Sequence, residues 1–135
     1  MTERLTCDAS VLVAMLVDDG STGRWAADLL SESGGLVAPH LMPFEVANIL
    51  RRHQLAGRIT ADQATQAHAD LLDLQVDIWP YEPLAARSWE LRTNLSIYDA
   101  SYVALAETTQ TTLATLDRRL ARSPGLQCEV ATPAV

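Results

Sequence analysis

Four carboxylates in this chain stand where chemistry is possible. Asp8 follows the short apolar run Leu5-Thr6-Cys7, and Asp117 follows Leu113-Ala114-Thr115-Leu116. Asp99 opens the apolar stretch Ala100-Ser101-Tyr102-Val103-Ala104-Leu105-Ala106, and Glu45 sits in the first turns of Phe44-Glu45-Val46-Ala47-Asn48-Ile49-Leu50. Asp18, Asp19, Glu32, Asp62, Asp70 and Asp73 instead fall in turns or on helices with a ready solvent face. Carboxylates that converge repel one another and stay ionised together only around a cation. Hard oxygen donors select Mg²⁺ or Mn²⁺. Such an ion keeps waters, binds phosphate oxygens, generates an attacking hydroxide and steadies the leaving oxygen of a phosphodiester. No serine or cysteine nucleophile is then needed.

Each acid also has a plain structural use. Asp8, Asp99 and Asp117 suit helix N-caps, and Glu45 suits the exposed side of its helix. Their common placement is what these separate uses leave unexplained. Two acids end strands one and four, and two more are delivered by helix starts.

The elements that must position these acids alternate along the chain. Leu5–Cys7, Leu36–Ala38, Val76–Trp79, Thr112–Thr115 and Glu129–Ala131 read as strands. Between them lie helices over 11–16, 22–31, 41–55, 61–74, 84–92 and 100–107, with a short one from Asp117 to Ala121. Thr60 reads as an N-cap, while Gly34-Gly35 and Gly57 read as stops. Short apolar strands alternating with helices predict an α/β fold, a parallel sheet covered on both faces in a three-layer α/β/α sandwich. Sites in such sheets form beyond the C-terminal strand ends. With no repeat, low-complexity tract or linker, residues 1–135 read as a single domain.

The bulk composition narrows the class. A chain of 135 residues can bury a real core, and 48% of it is apolar. The formal charge of −7 argues against a broad basic nucleic-acid surface, unless the acids gather a cation that then meets phosphate. All ten basic residues are arginine, whose planar fork suits phosphate. Cys7 and Cys128 lack C-x-x-C spacing and read as free, buried thiols of a cytosolic protein. His40, His53 and His68 are scattered without metal-ligand spacing. The apolar run Val11–Val17 is too short to span a bilayer and no signal peptide is evident, which predicts a cytoplasmic protein without membrane contact. Trp25, Trp79 and Trp89 read as core, with a subunit or partner interface as the alternative.

Taken in order, Asp8-Ala9-Ser10, Pro43-Phe44-Glu45-Val46-Ala47-Asn48-Ile49-Leu50, Tyr98-Asp99-Ala100-Ser101-Tyr102-Val103-Ala104-Leu105-Ala106 and Leu113-Ala114-Thr115-Leu116-Asp117-Arg118-Arg119-Leu120 resemble the PIN-domain family, and within it the VapC-type toxins of bacterial toxin–antitoxin systems. The resemblance runs the length of the chain. It implies strand order 3-2-1-4-5 and an acidic pocket of Asp8, Glu45, Asp99 and Asp117. Asp8 and Asp99 are then the principal metal ligands, and Glu45 and Asp117 hold a second ion or orient water. Ser10 and Thr115 match positions that support the carboxylates. The resemblance further implies an Mg²⁺-dependent (or Mn²⁺-dependent) endoribonuclease acting on a tRNA or rRNA, a small antitoxin as partner, and a homodimer within a larger toxin–antitoxin complex. Arg51, Arg52, Arg118, Arg119 and Arg122 border the pocket in this reading, with Arg52 and Arg118 the foremost candidates for RNA phosphate contacts.

Other classes compete. A haloacid-dehalogenase phosphatase needs an aspartate where Ser10 stands, and both it and a phospho-accepting receiver domain rely on a lysine that this chain lacks. A PIN-type nuclease acting on DNA or in RNA processing uses the same pocket. A non-catalytic RNA-binding module on the same fold would have no use for a repulsive acid cluster.

Overall fold

The computed structural model describes residues 3–134, so the ends of the expected 1–135 domain lie outside the described residues. Five strands, β1 (Leu5–Cys7), β2 (Leu36–Pro39), β3 (Val76–Trp79), β4 (Thr112–Ala114) and β5 (Val130–Ala131), pair in parallel in the order 3-2-1-4-5. β1 lies at the centre, with Leu5 opposite Leu36 on one side and Thr112 on the other. Chain order reverses direction across the β1–β4 pair, and that switch point is where such sheets open a crevice.

Seven helices cover the sheet: α1 (Ala9–Val17), α2 (Ser21–Glu32), α3 (Met42–Leu55), α4 (Ala61–Asp73), α5 (Ala85–Glu90), α6 (Ile97–Thr109) and α7 (Arg118–Ala121). α1 to α4 pack on one another, while α6, joined by α5, lies across β1, β2 and β4. The result is the expected three-layer sandwich.

Two helices are apolar almost all round, as central helices must be. α1 buries Ala9, Val11, Leu12, Val13 and Ala14, and α6 buries every residue from Ala100 to Ala106. Each fully buried valine or leucine stabilises the fold by about 1.5–3 kcal/mol over an exposed one. Leu113→Ala in β4, where the side chain is wholly buried, costs about 2–5 kcal/mol. Gly23 lets α2 fold back onto α1: a Cβ there would lie 1.7 Å from the Asp18 carbonyl oxygen.

Helix boundaries differ from the expected ones in ways that matter. The helix expected over 100–107 starts earlier, because Ser96 caps it by accepting from the Asp99 N–H at 3.1 Å. Asp99 is therefore a first-turn residue and no cap. The helix expected over 84–92 is a 3₁₀ turn (Glu82–Leu84) followed by the short α5. Trp25 and Trp79 pack against the core, but Trp89 is 59% exposed beneath the Arg92 guanidinium, 4.4 Å from its ring. Cys7 and Cys128 are free; Cys7 is buried and Cys128 only half-buried. Among the described residues no helix is long and apolar enough to cross a membrane.

Candidate active site

Each of the four acids stands at the start of a helix, where backbone N–H groups and the helix dipole favour negative charge. Asp8 caps α1, Glu45 lies in the first turn of α3, Asp99 in the first turn of α6, and Asp117 caps α7. The cap geometry foreseen for Asp8 and Asp117 is present, and it is compatible with a shared site because a cap occupies few of a carboxylate's lone pairs.

Asp8 is the most buried, at 8% exposure. Its Oδ1 accepts from Ser10 Oγ and from the Val11 N–H, and its Oδ2 accepts from Thr115 Oγ1. The two hydroxyls reach further. Ser10 Oγ accepts from the Leu116 N–H at 3.2 Å, and Thr115 Oγ1 from the Asp117 N–H at 3.0 Å. Ser10 and Thr115 thus stitch the loop after β1 to the loop after β4, with Asp8 as the knot. Burial pushes the Asp8 carboxyl up, and these hydrogen bonds oppose the rise.

Glu45 and Asp99 are half-buried. Glu45 Oε1 accepts from the Tyr102 hydroxyl at 2.7 Å. Burial raises the Glu45 carboxyl above its ordinary range, the Tyr102 hydrogen bond opposes this, and the charges of Asp99 and Asp8 add to it. Burial also raises Asp99, joined by the charges of Asp117 and Asp8; its Ser96 hydrogen bond and the Arg119 charge pull the other way. These mutual effects bring all four acids into one electrostatic neighbourhood. Asp117 commits Oδ1 to the Arg119 and Leu120 N–H groups. Among the described residues none of the four acids forms an ion pair.

The donor set suits a hard divalent ion: oxygen only, surplus negative charge and, among the described residues, no ion-paired cation. Yet no three His, Cys, Asp or Glu side chains among the described residues close into a ready cage. A ready cage is not a requirement for Mg²⁺, which keeps several waters and takes only one or two carboxylates directly.

Tyr102 escaped the sequence reading. It is 1% exposed, and a buried phenol needs a hydrogen-bond partner. Its spacing held the signal: Tyr102 follows Asp99 by three, on the same helix face. The arginines divide. Arg52 is exposed and lines a groove of about 460 Å³ together with Ser10 and Leu116. Arg118 donates to the Pro133 carbonyl at 2.8 Å, while its neighbour Arg119 is the one whose charge reaches Asp99. The three histidines lie apart, His40 exposed at the end of β2.

Comparisons with known proteins converge. Residues 5–126 match the PIN domain. The chain is 42% identical over 125 residues to Ribonuclease VapC1 of Mycobacterium tuberculosis, covering 91% of this chain and 92% of that protein. It is 39% identical over 126 residues to Ribonuclease VapC9 of the same organism, covering 93% and 95%. A toxin–antitoxin complex from Klebsiella pneumoniae holds a chain of like fold, with a TM-score of 0.68 and 19% identity over 96% of this chain and 98% of that one.

Proposed function

The chain belongs to the PIN-domain family, and from that premise we propose that it is a divalent-metal-dependent endoribonuclease acting as the toxin of a toxin–antitoxin pair. The observation that carries this reading is the group of four half-buried or buried carboxylates, repelling one another and without an ion-pair partner among the described residues, two of them after β1 and β4 and two in the first turns of α3 and α6. Relatives named ribonucleases at 39–42% identity supply the reaction class.

Asp8, Asp99, Asp117 and Glu45 would hold Mg²⁺ or Mn²⁺ here. When bound, the ion supplies Lewis-acid activation of water and of the phosphate, and charge for the leaving oxygen. The chain's own residues do the rest. Ser10 and Thr115 fix both Asp8 oxygens, so the most buried ligand cannot swing away. Tyr102 fixes Glu45 Oε1 and leaves Oε2 to accept a proton from an attacking water. Arg119 offsets charge at Asp99, and Arg52 stands in the adjoining groove where a phosphate backbone needs cations. The Cys7 thiol is no nucleophile, because burial and the Asp8 charge drive its pKa upward. A cognate antitoxin, a homodimer and a cytoplasmic setting complete the proposal.

The test is digestion of total RNA by the protein freed of copurifying partners, in Mg²⁺, Mn²⁺ or EDTA. Discrete cleavage that needs metal and fails in Asp99→Asn is expected. Folded, monodisperse wild type that cuts no RNA in either metal would overturn the enzymatic reading; cleavage of DNA in its place would redirect it.

A further inference from the structure

On the β2 and β3 side, lined by residues that share the N-terminal turns of α3 and α6 with Glu45 and Asp99, the surface holds a small apolar slot of about 220 Å³. Pro39 and Leu41 line it from the end of β2, Leu84 from the turn before α5, and Tyr81 and Tyr98 from either side of α5. Tyr81 is 46% and Tyr98 65% exposed, and neither phenol is hydrogen-bonded to another described residue. Large aromatic faces left in water beside a reaction centre ask for a ligand. The location is specific. Tyr98 directly precedes Asp99 in the first turn of α6, and Leu41 caps α3, whose first turn carries Glu45.

The slot's size and chemistry choose the ligand class. It is smaller than the roughly 300–1,000 Å³ of a site for a whole drug-sized molecule, which leaves room for a single ring system. Its lining offers aromatic faces and aliphatic carbon, with His40 and Ser101 as the polar members and no arginine to draw a phosphate. A nucleobase of an unpaired strand meets these terms. It stacks on tyrosine without needing charge, and only its edge asks for hydrogen bonds. Tyr98 shares a helix face with Tyr102, which holds Glu45, so a strand whose phosphate lies on the acids has the slot within reach.

We propose that this slot receives the nucleobase next to the scissile phosphate, held against Tyr81 and Tyr98, with His40 at hand for the base edge. This rests on the ribonuclease reading above. The slot is then what makes the enzyme demand a flipped-out, unpaired nucleotide at the cut, since a base within a duplex cannot enter it.

Wild type, Tyr98→Ala and the Tyr81→Ala/Tyr98→Ala pair are compared on an RNA that wild type cuts, and on copies with an abasic ribose at each nucleotide flanking the cut. All proteins are checked for thermal unfolding and for mass by light scattering. The expected result is a tenfold to hundredfold fall in kcat/KM for the variants, mostly in KM. One abasic position should reproduce that fall in wild type and add nothing in the double variant. Equal sensitivity of wild type and double variant to the abasic ribose overturns the proposal. So does a variant that turns monomeric while abasic RNA is cut normally, which would make this face an interface between copies. A separate arm titrates metal-free protein with adenosine and uridine 5′-monophosphate and follows tyrosine ring signals by NMR. Should wild type cut no RNA, signals of Tyr98 that move with nucleotide and vanish in Tyr98→Ala keep the slot while the nuclease reading falls. Unmoved signals reject the slot as well.

Discussion

The two ends of α6 treat a carboxylate in opposite ways. At the C-terminal end, Glu107 is 11% exposed at its side chain and fully engaged. Its Oε1 accepts from Arg87 Nε at 2.7 Å, and its Oε2 accepts from Arg87 Nη2 at 3.2 Å and from the Gln127 N–H at 2.7 Å. Arg87 also donates to the Gly125 carbonyl at 2.6 Å and to Glu90 at 3.2 Å. This fork ties α5, α6 and the segment before β5 together, and every charge in it has a partner. At the N-terminal end, Asp99 faces three more acids and has no ion pair among the described residues. One helix therefore carries an acid spent on holding the chain and an acid left unsatisfied. Burying charge without a partner is costly, so the unsatisfied end is the one where the proposed metal ion would relieve the repulsion.

Substitutions at the two ends should separate activity from stability. Asp99→Asn is expected to lower kcat about a thousandfold, the effect of losing several kcal/mol of metal-borne charge stabilisation. Its melting temperature should stay level or rise, because repulsion is relieved; a clear fall in Tm would break the contrast. Arg87→Ala should do the reverse. Stranding the partly buried Glu107 carboxylate costs about 1–3 kcal/mol in urea unfolding, while kcat of the folded protein changes less than threefold. Mg²⁺ at a hundredfold excess over its Kd should add about 2.7 kcal/mol to wild-type stability, as much to Arg87→Ala, and nearly none to Asp99→Asn. Calorimetric scans with and without the ion check this. The smallest effect sharpens the role of Tyr102. Tyr102→Phe should weaken Mg²⁺ binding about 10- to 100-fold and cost only about 1 kcal/mol of stability. An equal loss in the absence of Mg²⁺ titration effects would make Tyr102 purely structural.

How far the sequence foretold the molecule varies with the physics of each part. The strands were legible because each is a short apolar run punctuated by Pro, Gly or a polar turn, and β3 falls where its alternation places it. The acids stood out because they interrupt or end apolar runs. The start of α6 was not legible: Ser96 is an unremarkable serine until its Oγ meets the Asp99 N–H, and cap geometry is a matter of backbone angles. Trp89 looks like core from composition, yet it lies on the outer side of a six-residue helix and stacks with Arg92. Which of two adjacent arginines lies electrically nearer Asp99 depends on a turn of α7 and on where Pro133 passes, information that no local pattern holds.

The Asp8 knot has a consequence for genetics. Cells that escape a harmful nuclease do so through inactivating mutations, and those mutations should fall into two kinds. A change at Asp99 leaves the two loops stitched, so the dead protein persists and would still titrate the antitoxin that the proposed function calls for. A change of Asp8 to alanine releases Ser10, Thr115 and the α1 N-terminus together, and such survivors should contain little of the protein at all. Immunoblots of independent survivors would sort the alleles, and the inert decoy suited to testing for the proposed antitoxin is the Asp99 variant.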